Sequence, residues 1–398
     1  MKMCMREGCR LFLIFVFLLL AVPSASLAFD GEKLRAIEAA IEEAIADKKT
    51  PGGVFWLERG DAAFQVAIGN RALEPEEEAA TIDTVYDVAS LTKVIATTTA
   101  IAILHERGTL DLDAPVVTYI PEFAANGKET VTIQQLLTHT SGLRPGISLP
   151  SSYENAVERA CAEALQNEPG KRFVYSDINF ILLGEIVARV SGDSLDVFSK
   201  NEIFEPLRMN DTRFLPDADQ LSRIAPTQRT GGKMLRGVVH DPTARAMGGI
   251  AGHAGLFSTA PDLARFARML LNKGELDGVH LLKPETIAFF TTVQTPETVQ
   301  GRRGFGWDIE TSYSSPRGEL FPIGSYGHTG WTGPSFWVDP FSETFWIFVN
   351  NRVHPDGKGN VVPLRRVIAT LAAESITDYD FANVPGALLP QEEENRVD

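Results

Sequence analysis

The 398-residue sequence predicts a mixed α/β (α+β) fold: an antiparallel sheet formed by both chain ends, flanked by helices, with a mainly helical region inserted between its halves. Two strand-turn-strand patterns far apart in the chain, and helical periodicity between them, carry that prediction. Near the start, Val54-Phe55-Trp56-Leu57 and Phe64-Gln65-Val66-Ala67-Ile68 flank the turn-forming Glu58-Arg59-Gly60-Asp61. Near the end, Ser335-Phe336-Trp337-Val338 and Thr344-Phe345-Trp346-Ile347-Phe348-Val349 flank Asp339-Pro340-Phe341-Ser342-Glu343. Between these hairpins, Ile178, Ile181, Leu182 and Ile186 recur before Gly192, and Leu263, Phe266, Leu270 and Leu271 recur between Pro261 and Gly274.

Taken from the beginning, Lys2, Arg6 and Arg10 precede an apolar run from Leu11 to Val22, and Ser26 and Ala28 are small residues suited to a cut after Ala28. This pattern predicts a secretory signal peptide over residues 1–28, because the run falls short of the ~20 residues that span a bilayer. A secreted or periplasmic protein with no stable membrane anchor after cleavage is expected. Residues 29–390 then form a single domain, with the sheet region at about 29–105 and 262–385 and the helical insertion at about 106–261. The polar tail, residues 391–398, is expected to fray.

Leu34, Ile37, Ile41, Ala44 and Ile45 mark an amphipathic helix that ends at Thr50-Pro51-Gly52-Gly53. Of three cysteines, Cys4 and Cys9 lie in the leader, and Cys161 sits among Ala160, Ala162 and Leu165 as a small core residue. The formal charge of −15 becomes −17 once the leader is removed, which argues against nucleic acid and anionic membrane as partners. A small-molecule or peptide substrate is expected instead.

Three segments carry chemistry. Ser90-Leu91-Thr92-Lys93 follows a strand-like Val85-Tyr86-Asp87-Val88 and precedes Ile95, Ala96, Ile101 and Leu104, so Ser90 is expected to open a buried helix. Residues three apart share a helix face, which sets the Lys93 amine beside the Ser90 hydroxyl. Burial and the helix N-terminus both disfavour an ammonium, the direction a proton-accepting lysine needs. Tyr175, in Val174-Tyr175-Ser176-Asp177, lies at the junction with the helix beginning near Ile178, where a phenol serves as a base only beside cations. Packing of the ring with Asp177 as helix cap is the structural alternative. Tyr326-Gly327-His328-Thr329-Gly330-Trp331 is expected to form a sheet-edge strand against which substrate lies, with the Trp331 and Ser90 N–H groups holding an oxyanion.

In this order and at these separations, the segments resemble the class C β-lactamase and serine DD-peptidase family, including its peptidase and esterase members. Leu136-Leu137-Thr138-His139-Thr140-Ser141-Gly142-Leu143, Leu182-Leu183-Gly184, Pro206-Leu207-Arg208-Met209 and Gly252-His253-Ala254-Gly255-Leu256-Phe257-Ser258 extend the similarity over nearly the whole mature chain. The resemblance implies the β-lactamase/transpeptidase-like fold, Ser90 as nucleophile, Lys93 and Tyr175 as its proton partners, and a substrate-binding strand at His328, Thr329 and Gly330; Asp177 and Trp331 are counted with the substrate-binding residues from their place beside these segments. Acyl transfer of this kind requires no cofactor, and with seven histidines and no zinc-like spacing no metal is expected. Two departures stand out. Asp177 replaces the asparagine usual in class C enzymes, and His328 replaces the strand lysine that attracts a carboxylate, which favours peptidase, aminopeptidase and esterase members over dedicated lactamases. The function expected is hydrolysis of amide or ester bonds through a Ser90 acyl-enzyme, most plainly cell-wall peptide or muropeptide. The alternatives are a slowly deacylating penicillin-binding receptor and an esterase or β-lactamase. His139 is expected to be structural, His253 to line the pocket, and His240 with Asp241 matches no zinc spacing.

Overall fold

Along the strand Gly52–Arg59, alternate side chains enter different cores. Val54 and Trp56 join one apolar cluster, whereas Phe55 and Leu57 join the other. The same two-residue period sorts Phe345, Ile347 and Val349 from Trp346 and Phe348 on the strand Thr344–Asn350. A sheet apolar on both faces must be covered on both, which requires helices above and below it.

The computed structural model describes residues 29–391. The predicted leader and the tail beyond Gln391 lie outside the described residues. Gln391 itself is not frayed, since its side chain accepts a hydrogen bond from the Gly301 N–H at 2.9 Å.

The fold is mixed α/β, built on an eight-stranded antiparallel sheet. In spatial order the strands are Arg302–Arg303, Asp308–Glu310, Tyr326–Thr329, Ser335–Asp339, Thr344–Asn350, Gly52–Arg59, Ala62–Ala72 and Glu78–Ala79. The strands from the two chain ends meet at the pairing of Phe55 with Phe348. Both predicted hairpins form, with turns at Gly60-Asp61 and around Pro340.

Helices Gly31–Ala46 and Val362–Glu374 cover one face and share a core with Trp337, Trp346 and Phe348. On the first, the Asp30 side chain accepts the Glu32 and Lys33 N–H groups. Helix Ala260–Leu271 covers the other face, starting at a Thr259 cap with Pro261 in its first turn.

Helix Asp177–Ser191 is buried nearly all round and ends at Gly192, whose φ of 83° is a conformation glycine adopts without strain. Gly252 packs against this helix so closely that a Cβ there would lie 1.9 Å from the Phe180 carbonyl oxygen. Only glycine fits, and this contact brings the following residue, His253, into the site.

Candidate active site

The strand Tyr86–Asp87 pairs with Leu256–Ser258 and ends at a tight turn bearing Ser90. Asp87 is buried and shapes that turn: one carboxylate oxygen accepts the Ala89 N–H at 2.8 Å and the other accepts the His240 N–H at 2.7 Å. Burial pushes its pKa up to about 6. Ala89 takes a φ of +46°, a left-handed conformation that costs an L-residue about 1 kcal/mol. Thr92 closes the turn by donating to the Ala89 carbonyl at 2.6 Å.

Ser90 does not open one regular helix, as expected from the sequence. It lies in a 3₁₀ turn, Ala89–Leu91, followed by a π-helical segment, Lys93–Thr98, and only then by the α-helix Thr99–Glu106. The one-turn relation to Lys93 survives this change. The amine lies 3.1 Å from the Ser90 Oγ.

Lys93 is fully buried, and its amine faces three acceptors. Besides Ser90 these are the His253 carbonyl at 3.0 Å and Asp177 Oδ1 at 2.7 Å, the last an ion pair. Burial is the largest influence and would lower the pKa of the amine, but the charge of Asp177 and then that of Tyr175 outweigh it, and the pKa is raised above 10.5. This corrects the expectation of a depressed lysine: the resting state is an ammonium, because burial was weighed without its counter-charge. It also corrects Asp177 as a helix cap. Asp177 is the first residue of its helix, and its carboxylate turns to Lys93.

Tyr175 is fixed by the turn at residues 139–145. Val174 donates to the His139 carbonyl at 2.9 Å, and the Asp177 N–H to that of Pro145 at 2.7 Å. The Ser176 N–H donates to His139 Nδ1 at 3.0 Å. The His139 ring lies against the Tyr175 ring, with centroids 4.5 Å apart. His139 holds a φ of +58°. Burial, followed by the charges of Arg303 and Lys93, keeps it well below 6.5 and neutral. Thus the Leu-Leu-Thr-His-Thr-Ser-Gly segment is a structural support, as read from sequence, and what it supports is the tyrosine. The Lys93 nitrogen lies 5.0 Å from the Tyr175 ring centre.

His328 and Thr329 belong to the strand Tyr326–Thr329. This is not a sheet edge along its length, since Gly327 pairs with Asp308 on one side and Trp337 on the other. Pairing to the outer strand stops there, leaving His328 and Thr329 bordering the cavity. His328 Nδ1 lies 2.8 Å from the Thr329 carbonyl, so it carries the hydrogen. Nε2 is then a buried acceptor without a protein partner among the described residues. Burial, then Arg303 and Lys93, hold this ring far below 6.5, so it is neutral at pH 7.

A cavity of about 380 Å³ is lined by Ser90, Tyr175, His328, Thr329, Gly330 and Trp331. Lys93 and Asp177 are not lining residues and reach the cavity through Ser90, which the Lys93 amine contacts while paired with Asp177. The predicted site residues therefore converge, but His253 does not line the cavity. It acts through its carbonyl, and its Nε2 lies 3.0 Å from Asp241. Cys161 is buried away from the site, and burial raises its thiol pKa to about 11.

Sequence reasoning missed the cations of the cavity wall, Arg303, Arg352 and Arg365. Arg303 is buried near the Tyr175 ring, at 6.0 Å from its centre, and donates to the Gly306 carbonyl at 2.7 Å. The flanking glycines of Gly301-Arg302-Arg303-Gly304 were the available signal. They give no direction in space.

The sequence profile of the beta-lactamase family matches residues 37–370. A protein of Escherichia coli K12 provisionally named a D-alanyl-D-alanine carboxypeptidase is 33% identical over 310 residues, covering 69% of this chain and 70% of that protein. An N-acetylmuramyl-L-alanine amidase of Bacillus subtilis is 30% identical over 375 residues, covering 84% of each. Among solved structures, a penicillin-binding protein homologue from Caulobacter crescentus superposes with a TM-score of 0.68 at 23% identity, covering 86% of this chain and 98% of that one.

Proposed function

The chain belongs to the beta-lactamase family of serine hydrolases, and from that premise we propose that it is an exported enzyme cleaving amide bonds of cell-wall peptides or muropeptides through an acyl-enzyme at Ser90. The observation that carries this reading is the 3.1 Å contact between the Ser90 hydroxyl and the buried Lys93 amine, at a cavity also lined by Tyr175 and the His328 strand. The names of the two relatives above support the substrate class. No helix among the described residues is long and apolar enough to cross a membrane, and export rests on the leader-like first 28 residues.

Since Lys93 rests as an ammonium, it must first lose a proton. Asp177, 2.7 Å away, is the acceptor within reach. The amine so formed takes the proton of Ser90 as its oxygen bonds to the carbonyl carbon. The Ser90 and Trp331 N–H groups hold the oxyanion. Collapse breaks the carbon–nitrogen bond, Tyr175 protonates the departing nitrogen, and Lys93 restores the phenol. Water then attacks the ester with the same pair as base, releasing the acid and returning the proton to Ser90.

A fluorophosphonate probe is expected to label the mature protein and not Ser90→Ala, with circular dichroism unchanged. A substrate panel of D-alanyl peptides, muramyl peptides, nitrophenyl esters and nitrocefin is expected to favour the first two. Dominant nitrocefin turnover would overturn the substrate assignment, and labelling that persists in Ser90→Ala would overturn the nucleophile.

A further inference from the structure

Trp331 is the outlier among five tryptophans. Trp56, Trp307, Trp337 and Trp346 are at most 7% exposed, whereas Trp331 is 69% exposed at the mouth of the cavity that holds Ser90. An indole left in water forgoes the favourable transfer that buries the others, yet its loop is held rigidly. Buried Arg365 donates to the carbonyls of Gly330, Gly333 and Pro334 at 3.0, 2.8 and 3.1 Å. The Thr332 hydroxyl donates to the Asp87 carbonyl at 2.7 Å, tying the loop to the turn that carries Ser90. The side chain is also backed, because the Arg352 guanidinium lies 4.8 Å from the ring centre while its Nε donates to the Trp331 carbonyl at 2.8 Å. One face of the indole is thereby occupied by a cation. Preorganisation of this kind lowers the cost of binding whatever meets the ring.

We propose that Trp331 is a stacking shelf for a pyranose ring of the substrate, placing the glycan end of a muramyl peptide beside Ser90. The inference rests on the function proposed above and deepens it. A pyranose presents a flat C–H face to the indole and a rim of hydroxyl and amide groups. The polar groups such a rim needs line the same cavity as Arg352 and Asn360, with Tyr313 as a second exposed aromatic ring. A purely apolar acyl chain would find these groups a desolvation cost with no return.

The test compares two substrates with the same scissile lactyl amide, N-acetylmuramyl-L-alanyl-D-isoglutamine and N-lactoyl-L-alanyl-D-isoglutamine. The wild-type protein is expected to favour the muramyl form in kcat/KM by about tenfold, a single stacking contact. Trp331→Ala is expected to bring that ratio to within about twofold of one, and Trp331→Phe to keep part of it. A ratio near one in the wild type, or one that Trp331→Ala leaves unchanged, overturns the shelf.

A binding measurement separates this inference from the catalytic reading. In Ser90→Ala, N-acetylmuramic acid is expected to quench and blue-shift the one solvent-exposed tryptophan, and the response should vanish in Ser90→Ala with Trp331→Phe. If neither dipeptide is cleaved but this response appears, the catalytic reading fails and the shelf stands. If the response is absent, or survives Trp331→Phe, the shelf is refuted whatever Ser90 does.

Discussion

Two regions of this molecule each bury a lysine completely, and the two amines behave in opposite ways. Beneath Ser90, Lys93 faces the Asp177 carboxylate at 2.7 Å. In the helical region, Lys128 donates to the backbone carbonyls of Cys161 and Glu163. Burial is the largest influence on both. It wins at Lys128, whose pKa is lowered, and loses at Lys93, whose pKa is raised. Dipoles satisfy hydrogen bonds without compensating a lost hydration shell, whereas a full opposite charge does both. The counter-charge, not the depth, fixes the protonation state of the candidate catalytic amine.

The sharpest way to break this comparison is to remove each amine. Lys93→Met is expected to slow acylation of Ser90 by about a thousandfold or more, while Lys128→Met stays within about twofold of the wild type, both read by stopped-flow labelling. Comparable losses in the two variants would mean that Lys93 is a structural cation like its counterpart.

Asp177→Asn should convert the first situation toward the second. With the carboxylate gone, burial dominates and the amine titrates lower, so the pH dependence of kcat/KM is expected to move to lower pH. At pH 7 a larger share of Lys93 is then the free amine, so acylation of Ser90 is expected to be retained or to rise by up to about tenfold. A pH profile that does not move would separate Asp177 from the amine.

Asp87→Asn tests the turn between the two charges and the strand. An asparagine can accept only one of the two N–H groups that Asp87 now accepts, and it sets an N–H against the other. The expected cost is about 1–3 kcal/mol in urea denaturation, together with slower acylation. In the wild type, protonation of Asp87 below about pH 6 should slow acylation without lowering stability to urea, because a carboxyl whose folded pKa is raised favours the folded state as the pH falls toward about 4.

The smallest effect is a difference of slopes. A raised lysine contributes stability that is complete below its unfolded pKa and fades as the pH climbs through the folded value. A lowered lysine contributes above the unfolded pKa and loses that contribution as the pH falls through the folded value. The stability advantage of wild type over Lys93→Met should shrink as the pH climbs above about 10.4, while that over Lys128→Met should grow as the pH climbs toward about 10.4 from below. Parallel curves would show that the two sites share one electrostatic regime.

Much of the fold was legible because it is written in short periods. The apolar runs Val54-Phe55-Trp56-Leu57 and Phe64-Gln65-Val66-Ala67-Ile68 around a turn marked the first hairpin, and Pro261 and Gly274 bracketed the helix Ala260–Leu271 to within a few residues. The Ser90 and Lys93 pair was legible for the same reason, since both lie within one turn. The irregular 3₁₀ and π geometry of that turn was not, because Asp87 and Thr92 there bond across to His240 and Leu256 on distant segments.

The sequence by itself thus determined the sheet, its covering helices and the approximate address of each chemical group. Tertiary structure alone decided that Lys93 is charged, that His139 props up Tyr175, that Arg303 stands behind the tyrosine, and that Trp331 faces water on a rigid loop. Periodicity reports contacts between neighbours in the chain. Protonation and exposure depend on the sum of burial and charge from every segment folded around a group, and that sum exists only once distant parts of the chain have met.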